Sequence, residues 1–188
     1  MNNGILEKFE KNTKSIVIRE LKWDDLPAFM DSLNEFYQES MQKDLWIPTT
    51  ELSLEDACDK LSGILKNIEL NKTIYLIAEV DGRIAGMAWI NIHSGMFGEG
   101  YSTLSIQVGD SCRGLGIGKR FMNILEEQAR KMKLRGILLT VIDRNPAMQL
   151  YERLGYREIG RKPNYVASLF GKQAFEERGD LVEMLKKL

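Results

Sequence analysis

Ile106-Gln107-Val108-Gly109-Asp110-Ser111-Cys112-Arg113-Gly114-Leu115-Gly116-Ile117-Gly118-Lys119 is the stretch that decides the fold. It reads as an apolar strand, a short polar turn, a glycine-rich loop and the start of a long amphipathic helix. The first N–H groups of a helix have no partner inside it and point at whatever sits in the preceding loop. With the helix dipole they favour an anion there, typically a phosphate. Gly114, Gly116 and Gly118 let the backbone turn sharply and let a bulky anion come close. Two phosphate patterns fail on these residues. A P-loop needs Gly, four residues, then Gly-Lys-Ser/Thr; Gly118-Lys119 matches its end, but Arg113 stands at the first Gly and Arg120 at the hydroxyl. A dinucleotide loop, G-x-G-x-x-G, needs a third Gly at position 119, which is Lys. It also needs a parallel βαβ unit, whereas the strands ahead of this loop read as an antiparallel hairpin.

Outward from the loop, the patterns alternate between strand and helix. Tyr101 to Val108 is the strand that feeds it. Ile117, Phe121, Ile124, Leu125, Gln128, Ala129 and Met132 mark the helix after it, which Gly136 stops. Ile137 to Val141 is a strand, Asn145-Pro146 opens a helix through Leu154, and Gly155 ends that helix. Tyr156 to Gly160 and Leu181 to Leu188 read as strands joined by residues 161–179. Upstream, Thr73 to Val80 and Ile84 to Ile92 flank Asp81-Gly82, a strong hairpin signal. Leu26, Phe29, Met30, Leu33, Phe36 and Tyr37 give a helix opened by Trp23-Asp24-Asp25-Leu26-Pro27, with Asp at the cap. Leu54, Ala57, Leu61, Ile64, Leu65 and Ile68 give a second over Ser53 to Leu70, with Met41 to Leu52 as a loop between them. Ile16 to Arg19 is a short strand, and residues 1–14 read as a loose lead-in. The expected fold is mixed α/β, a centrally antiparallel sheet of about seven strands with flanking helices and one parallel crossover. The expected organisation is an N-terminal lead-in, 1–15, and one domain, 16–188.

Bulk properties narrow the function. The chain has 188 residues with 44% hydrophobic and 28% charged, ordinary for one globular domain with a sizeable core. A net charge of -1 supplies no field that recruits nucleic acid or an acidic membrane. No apolar run is long enough for a membrane span, and Met1 to Ser15 holds no signal-peptide core, so a cytoplasmic location is expected. Cys58 and Cys112 form no metal-ligand cluster, and no metal is expected.

A second motif lies about thirty residues beyond the loop: Asn145-Pro146-Ala147-Met148-Gln149-Leu150-Tyr151-Glu152-Arg153-Leu154-Gly155-Tyr156. It resembles the signature Asn-x-x-Ala-x-x-x-Tyr-Glu-x-x-Gly-Phe of the GCN5-related N-acetyltransferases. Arg113-Gly114-Leu115-Gly116-Ile117-Gly118 resembles the same family's pyrophosphate loop, Gln/Arg-x-x-Gly-x-Gly/Ala. The two motifs stand in the family's order, and the resemblance spans roughly Ile16 to Leu188, specific in the second half and pattern-level in the first.

The resemblance implies acetyl transfer from acetyl-CoA to a primary amine by direct attack in a ternary complex. By position, the backbone of Ile106, Gln107 and Val108 pairs with the pantetheine amides. Arg113 to Gly118 cradle the pyrophosphate through main-chain N–H groups, and Lys119 adds charge. Asn145 and Tyr151 face the thioester, with Tyr151 the general acid for the leaving thiolate and the Val108 N–H the oxyanion donor. On the helix, Leu150 and Leu154 are expected to face the core and Tyr151 another side. The base is missing from both positions where relatives carry a carboxylate: here they are Ser102 and Thr140. Glu99 is the nearest remaining carboxylate, and His93 is the only histidine. Acceptor recognition falls to the least family-like parts, with Tyr37, Trp46, Met96, Phe97, Tyr165 and Phe170 as rim candidates and Asp44, Glu51 and Glu99 as charges for a cationic amine. A homodimer is a candidate assembly, with the final strand at an exposed edge. Two other readings use the same loop: a non-catalytic CoA-binding regulatory module, favoured by the missing carboxylate, and a nucleotide-binding protein.

Overall fold

The computed structural model describes residues 4–42, 51–94, 98–165 and 179–188. Its strands are β1 (Ile5–Lys11), β2 (Lys14–Glu20), β3 (Thr73–Val80), β4 (Arg83–Ile92), β5 (Tyr101–Val108), β6 (Gly136–Ile142), β7 (Arg157–Lys162) and β8 (Leu181–Lys187). Its helices are α1 (Leu26–Gln42), α2 (Leu54–Glu69), α3 (Ile117–Lys131) and α4 (Ala147–Arg153). The strand order is β1-β2-β3-β4-β5-β6-β8-β7, an eight-stranded sheet in which β5 and β6 run parallel. The expected mixed α/β architecture with one parallel crossover is the one observed.

Two features differ from the expectation. Residues 5–11 are not a loose lead-in but an eighth strand, hairpinned to β2 through Asn12-Thr13. The final strand is not an edge: β8 lies between β6 and β7, paired to both, so the edges are β1 and β7. The α1 start also differs in detail. A 3-10 turn, Trp23–Asp25, precedes α1, capped by Lys22, and Asp25 supplies the reciprocal carboxylate.

Contacts gather the chain into two compact units, 1–92 with 105–125 and 93–104 with 126–188. In the first, Leu21, Phe29, Phe36, Leu61, Tyr75, Ile77, Ile84 and Met87 form one buried cluster. Each such side chain contributes about 1.5–3 kcal/mol by leaving water. Tyr75 stacks on Trp89 with centroids 5.1 Å apart and meets Phe29 edge-on at 6.3 Å. In the second unit, Leu139, Val141, Val182 and Met184 alternate inward along paired strands, as a half-buried sheet requires.

Arg19 ties β2 to the start of α1. Its guanidinium holds both oxygens of Asp25, at 2.8 and 2.6 Å, and Glu79 on β3. Asp25 also accepts the Lys22 N–H at 2.8 Å. Burial raises the Asp25 pKa, but the bonds from Arg19 and Lys22 outweigh it and hold the carboxyl below its ordinary value. A carboxylate depressed in the folded state stabilises fully above its unfolded pKa, near 4, and the contribution fades as pH falls through the lower folded value. Asp25→Asn is therefore expected to lower stability by about 1–3 kcal/mol at neutral pH. It should also flatten the acid limb below about pH 4, read by thermal melts from pH 7 to pH 2.

Candidate active site

The loop geometry comes from short-range chemistry. After β5, a 3-10 turn spans Asp110–Cys112, and the Asp110 N–H donates to the Glu39 carboxylate of α1 at 3.1 and 3.2 Å. Arg113 folds back on this turn: its guanidinium meets Asp110 at 2.9 Å, and its Nε lies 3.5 Å from the Val108 carbonyl. Gly114 and Gly116 then take φ of +78° and +84°, a backbone that L side chains rarely adopt. A Cβ built at either would meet nothing within 4 Å, so the space beside both glycines is open. Gly118 lies inside α3 and is not at positive φ, so the sharp turn falls to Gly114 and Gly116. Leu115 and Ile117 are buried and anchor the loop, while Lys119 is exposed.

The first amide of α3 with a main-chain acceptor is that of Arg120, bonded to the Gly116 carbonyl at 3.2 Å. Among the described residues, the six N–H groups from Gly114 to Lys119 donate to no acceptor of the chain. Six adjacent donors and a helix N-terminus beside open space suit a doubly charged diphosphate.

Along β5 the main-chain groups alternate in direction. The Tyr101 carbonyl accepts from His93 N–H, the Gly109 N–H donates to Ala85, and the Gln107 carbonyl lies against Gly86, so odd positions turn to β4. Ile106 and Val108 therefore present N–H and C=O to the opposite edge. Pairing on that edge is registered at Tyr101↔Gly136, Ser102↔Ile137 and Thr103↔Leu138 and goes no further. The backbone at Ile106 and Val108 is thus a short strand edge with no strand partner among the described residues. An extended amide chain adds to such an edge by main-chain hydrogen bonds. Gln107, expected in the same role, has its main chain committed to β4.

In the second unit, the Asn145 side chain accepts from the Ala147 N–H at 2.9 Å and its carbonyl accepts from Met148 N–H at 3.0 Å. It braces the start of α4, which Pro146 caps without a side-chain bond. Tyr151 departs from the expected facing. It is the buried residue of α4, 7% exposed, while Leu150 and Leu154 are half-buried. Its ring packs on Tyr156, centroids 6.2 Å apart. A helix of seven residues has no long apolar stripe, so aromatic packing decides which side turns inward. Burial pushes the Tyr151 phenol up to about 12, so it carries its proton throughout the neutral range. Beneath it, Tyr156 is fully buried, and Glu126 of α3 pairs with Lys186 at 2.6 Å.

The base candidates separate. Ser102 is fully buried with its Oγ unpartnered. Thr140 is exposed on β6. His93 is exposed and bonds Thr103 Oγ1, and Glu99 lies exposed in the turn ahead of β5. A further carboxylate, Glu183, lies near the Thr140 position. The β6–β8 register sets it directly opposite Thr140, on the same face, with its carboxylate on Lys162 at 2.7 Å. Only a strand pairing across forty-three positions brings the two together, and no local pattern signals it. Of the rim candidates, Tyr37 is half-buried, Tyr165 is exposed beside Lys162, and Glu51 is exposed. Trp46, Met96, Phe97, Phe170 and Asp44 lie outside the described residues. Among the described residues no His, Cys, Asp or Glu group forms a metal site, and no helix is long and apolar enough to cross a membrane.

The profile of the acetyltransferase (GNAT) family matches residues 26–156. The chain belongs to that family. It is 28% identical to the solved ribosomal-protein-alanine N-acetyltransferase of Brucella melitensis, with a TM-score of 0.72 over 91% of this chain and 99% of that one. A phosphinothricin acetyltransferase of Sinorhizobium meliloti, solved with acetyl-CoA, has the same fold at 21% identity, a TM-score of 0.71, and coverage of 92% and 88%. Among curated relatives, a mycothiol acetyltransferase of Thermomonospora curvata is 37% identical over 81 residues, 43% of this chain but only 26% of that protein.

The loop geometry makes a direct prediction. Gly116→Val forces a β-branched residue into φ of +84° and puts its side chain in the open space beside the loop. It should weaken acetyl-CoA binding at least tenfold in calorimetric titration and lower stability by about 1–2 kcal/mol. Lys119→Ala, at an exposed helix position, should change affinity less than threefold.

Proposed function

We propose that this protein is an acetyl-CoA-dependent N-acetyltransferase that acetylates a primary amine, its acetyltransferase domain taking in β1 as well as residues 16–188. The observation that carries the reading is the row of six N–H groups at Gly114–Lys119 with no partner among the described residues, following a strand whose Ile106 and Val108 edge pairs with none of the described strands. When bound, acetyl-CoA supplies an activated acetyl group as a thioester. The chain supplies grip and proton handling. The loop amides take the diphosphate, and Ile106 and Val108 take the pantetheine amides. The Val108 N–H stabilises negative charge on the acetyl oxygen as the amine attacks.

As the new carbon–nitrogen bond forms and the carbon–sulfur bond breaks, the sulfur needs a proton and the nitrogen must lose one. Tyr151 is the assigned donor. A phenol held near pKa 12 is fully protonated at neutral pH and is reloaded from water after each turnover. Glu183 is the assigned carboxylate on the acceptor side, beside the Thr140 position that lacks one. Its ion pair with Lys162 lets it exchange that cation for a cationic amine. The acceptor class this favours is a primary amine that arrives protonated, gives one proton to water before it attacks and a second to water as the amide forms: a small molecule, a polyamine, or a protein N-terminus or lysine.

Turnover is followed by free-thiol release with acetyl-CoA and a panel of amines and peptides. Tyr151→Phe is expected to lower kcat by about 10²-fold or more while leaving the acetyl-CoA dissociation constant within threefold. Glu183→Gln is expected to lower kcat/KM for cationic acceptors and spare acetyl-CoA affinity. Tight acetyl-CoA binding with no acetyl transfer to any amine would replace this reading with the CoA-binding regulatory module. Preference for ATP or NAD over acetyl-CoA would overturn both.

A further inference from the structure

The N-terminal hairpin carries an edge that acetyl transfer does not use. Among the described residues β1 is the outermost strand of the sheet. Its turn residues, Asn12 and Thr13, both lie at positive φ, 51° and 62°, as in a two-residue type I′ hairpin. Such a turn is closed by a hydrogen-bonded pair, here Lys11↔Lys14, and hydrogen-bonded and non-hydrogen-bonded pairs then alternate along the strands. Phe9↔Ile16 is therefore hydrogen-bonded, while Glu10↔Ser15 and Lys8↔Val17 are not. Ser15 bears this out. Its N–H donates to the Asp81 side chain and its carbonyl accepts the Asp81 N–H, both at 3.1 Å and both away from β1. The main-chain groups of Lys8 and Glu10 point out of the sheet.

An unpaired strand edge is a template for another strand. Its phase restricts what can pair: the outward groups of Lys8 and Glu10 must meet outward groups. For two antiparallel copies of β1, three centred registers satisfy this. A register centred on Lys8 opposes Lys8 to itself, and one centred on Glu10 opposes Glu10 to itself. A register centred on Phe9 opposes Lys8 to Glu10, Glu10 to Lys8, Glu7 to Lys11 and Lys11 to Glu7. Only this third register sets opposite charges across the whole strand.

We propose that the chain forms a two-fold homodimer by antiparallel pairing of β1 with the β1 of a second copy, centred on Phe9. Lys8 and Glu10 are exposed, on the face opposite Phe9, and exchange charge across the two-fold. Phe9 meets its own copy at a non-hydrogen-bonded position, where side chains approach closest. Its ring is already held under the Arg120 guanidinium, 3.8 Å from the centroid, and Arg120 also pairs with Glu7. Leu6, 39% exposed, is carried toward the turn of the second copy. The interface is isologous and closes at two subunits.

Sedimentation velocity over a concentration series tests this with four proteins: the natural chain, Lys8→Glu, Glu10→Lys and the double reversal. The natural chain should dimerise with increasing concentration. Either single reversal turns two attractive cross-strand pairs into two repulsive ones and should weaken dimerisation roughly tenfold. The double reversal restores opposite charges and should regain the natural association constant. A natural chain that stays monomeric overturns the proposal. So does a dimer unmoved by the single reversals, or a double reversal that dimerises no better than the singles.

Discussion

Six consecutive main-chain N–H groups with no acceptor among the described residues, Gly114 to Lys119, are the constraint on which the functional reading rests. Unpartnered backbone donors are costly unless water or a ligand takes them. Here they are gathered rather than scattered. Leu115 and Ile117 are buried and anchor the loop, Gly114 and Gly116 take a positive φ, and α3 adds its dipole. The neighbouring structure serves this arrangement. Glu39 caps the turn before the loop, and Arg113 is spent on Asp110 rather than projected into the anion site. The anion is therefore read by backbone, which explains why the loop tolerates Arg and Lys in its sequence without depending on them.

The strand before the loop matters through its phase. Odd positions of β5 hydrogen-bond toward β4, so even positions face the other edge, and registered parallel pairing there goes no further than Thr103↔Leu138. A sheet that paired fully would leave no main chain for a ligand amide. Tyr151 contributes in a different way. Its burial against Tyr156 holds the proton on the phenol, which suits a donor and rules it out as a base at neutral pH.

The helices and inner strands were legible because their apolar residues recur with the right period; Thr73–Val80 and Tyr101–Val108 are found as read. β1 was not legible. Ile5–Lys11 is an edge strand with no buried residue, so its alternating Glu and Lys show no hydrophobic period. The place of β8 between β6 and β7 depends on pairings far apart in sequence, and so does Glu183 opposite Thr140. Tyr151 faces inward, against the sequence expectation, because seven helical residues leave the stripe undefined and packing on Tyr156 settles it.

The most direct test of the central claim is an amide-resolved NMR titration of the natural protein with acetyl-CoA, and with ATP for comparison. The account predicts that the largest shifts fall on the N–H groups of Gly114–Lys119, with further shifts at Ile106 and Val108 that ATP does not reproduce. Saturating acetyl-CoA that leaves the Gly114–Lys119 amides unmoved would contradict it.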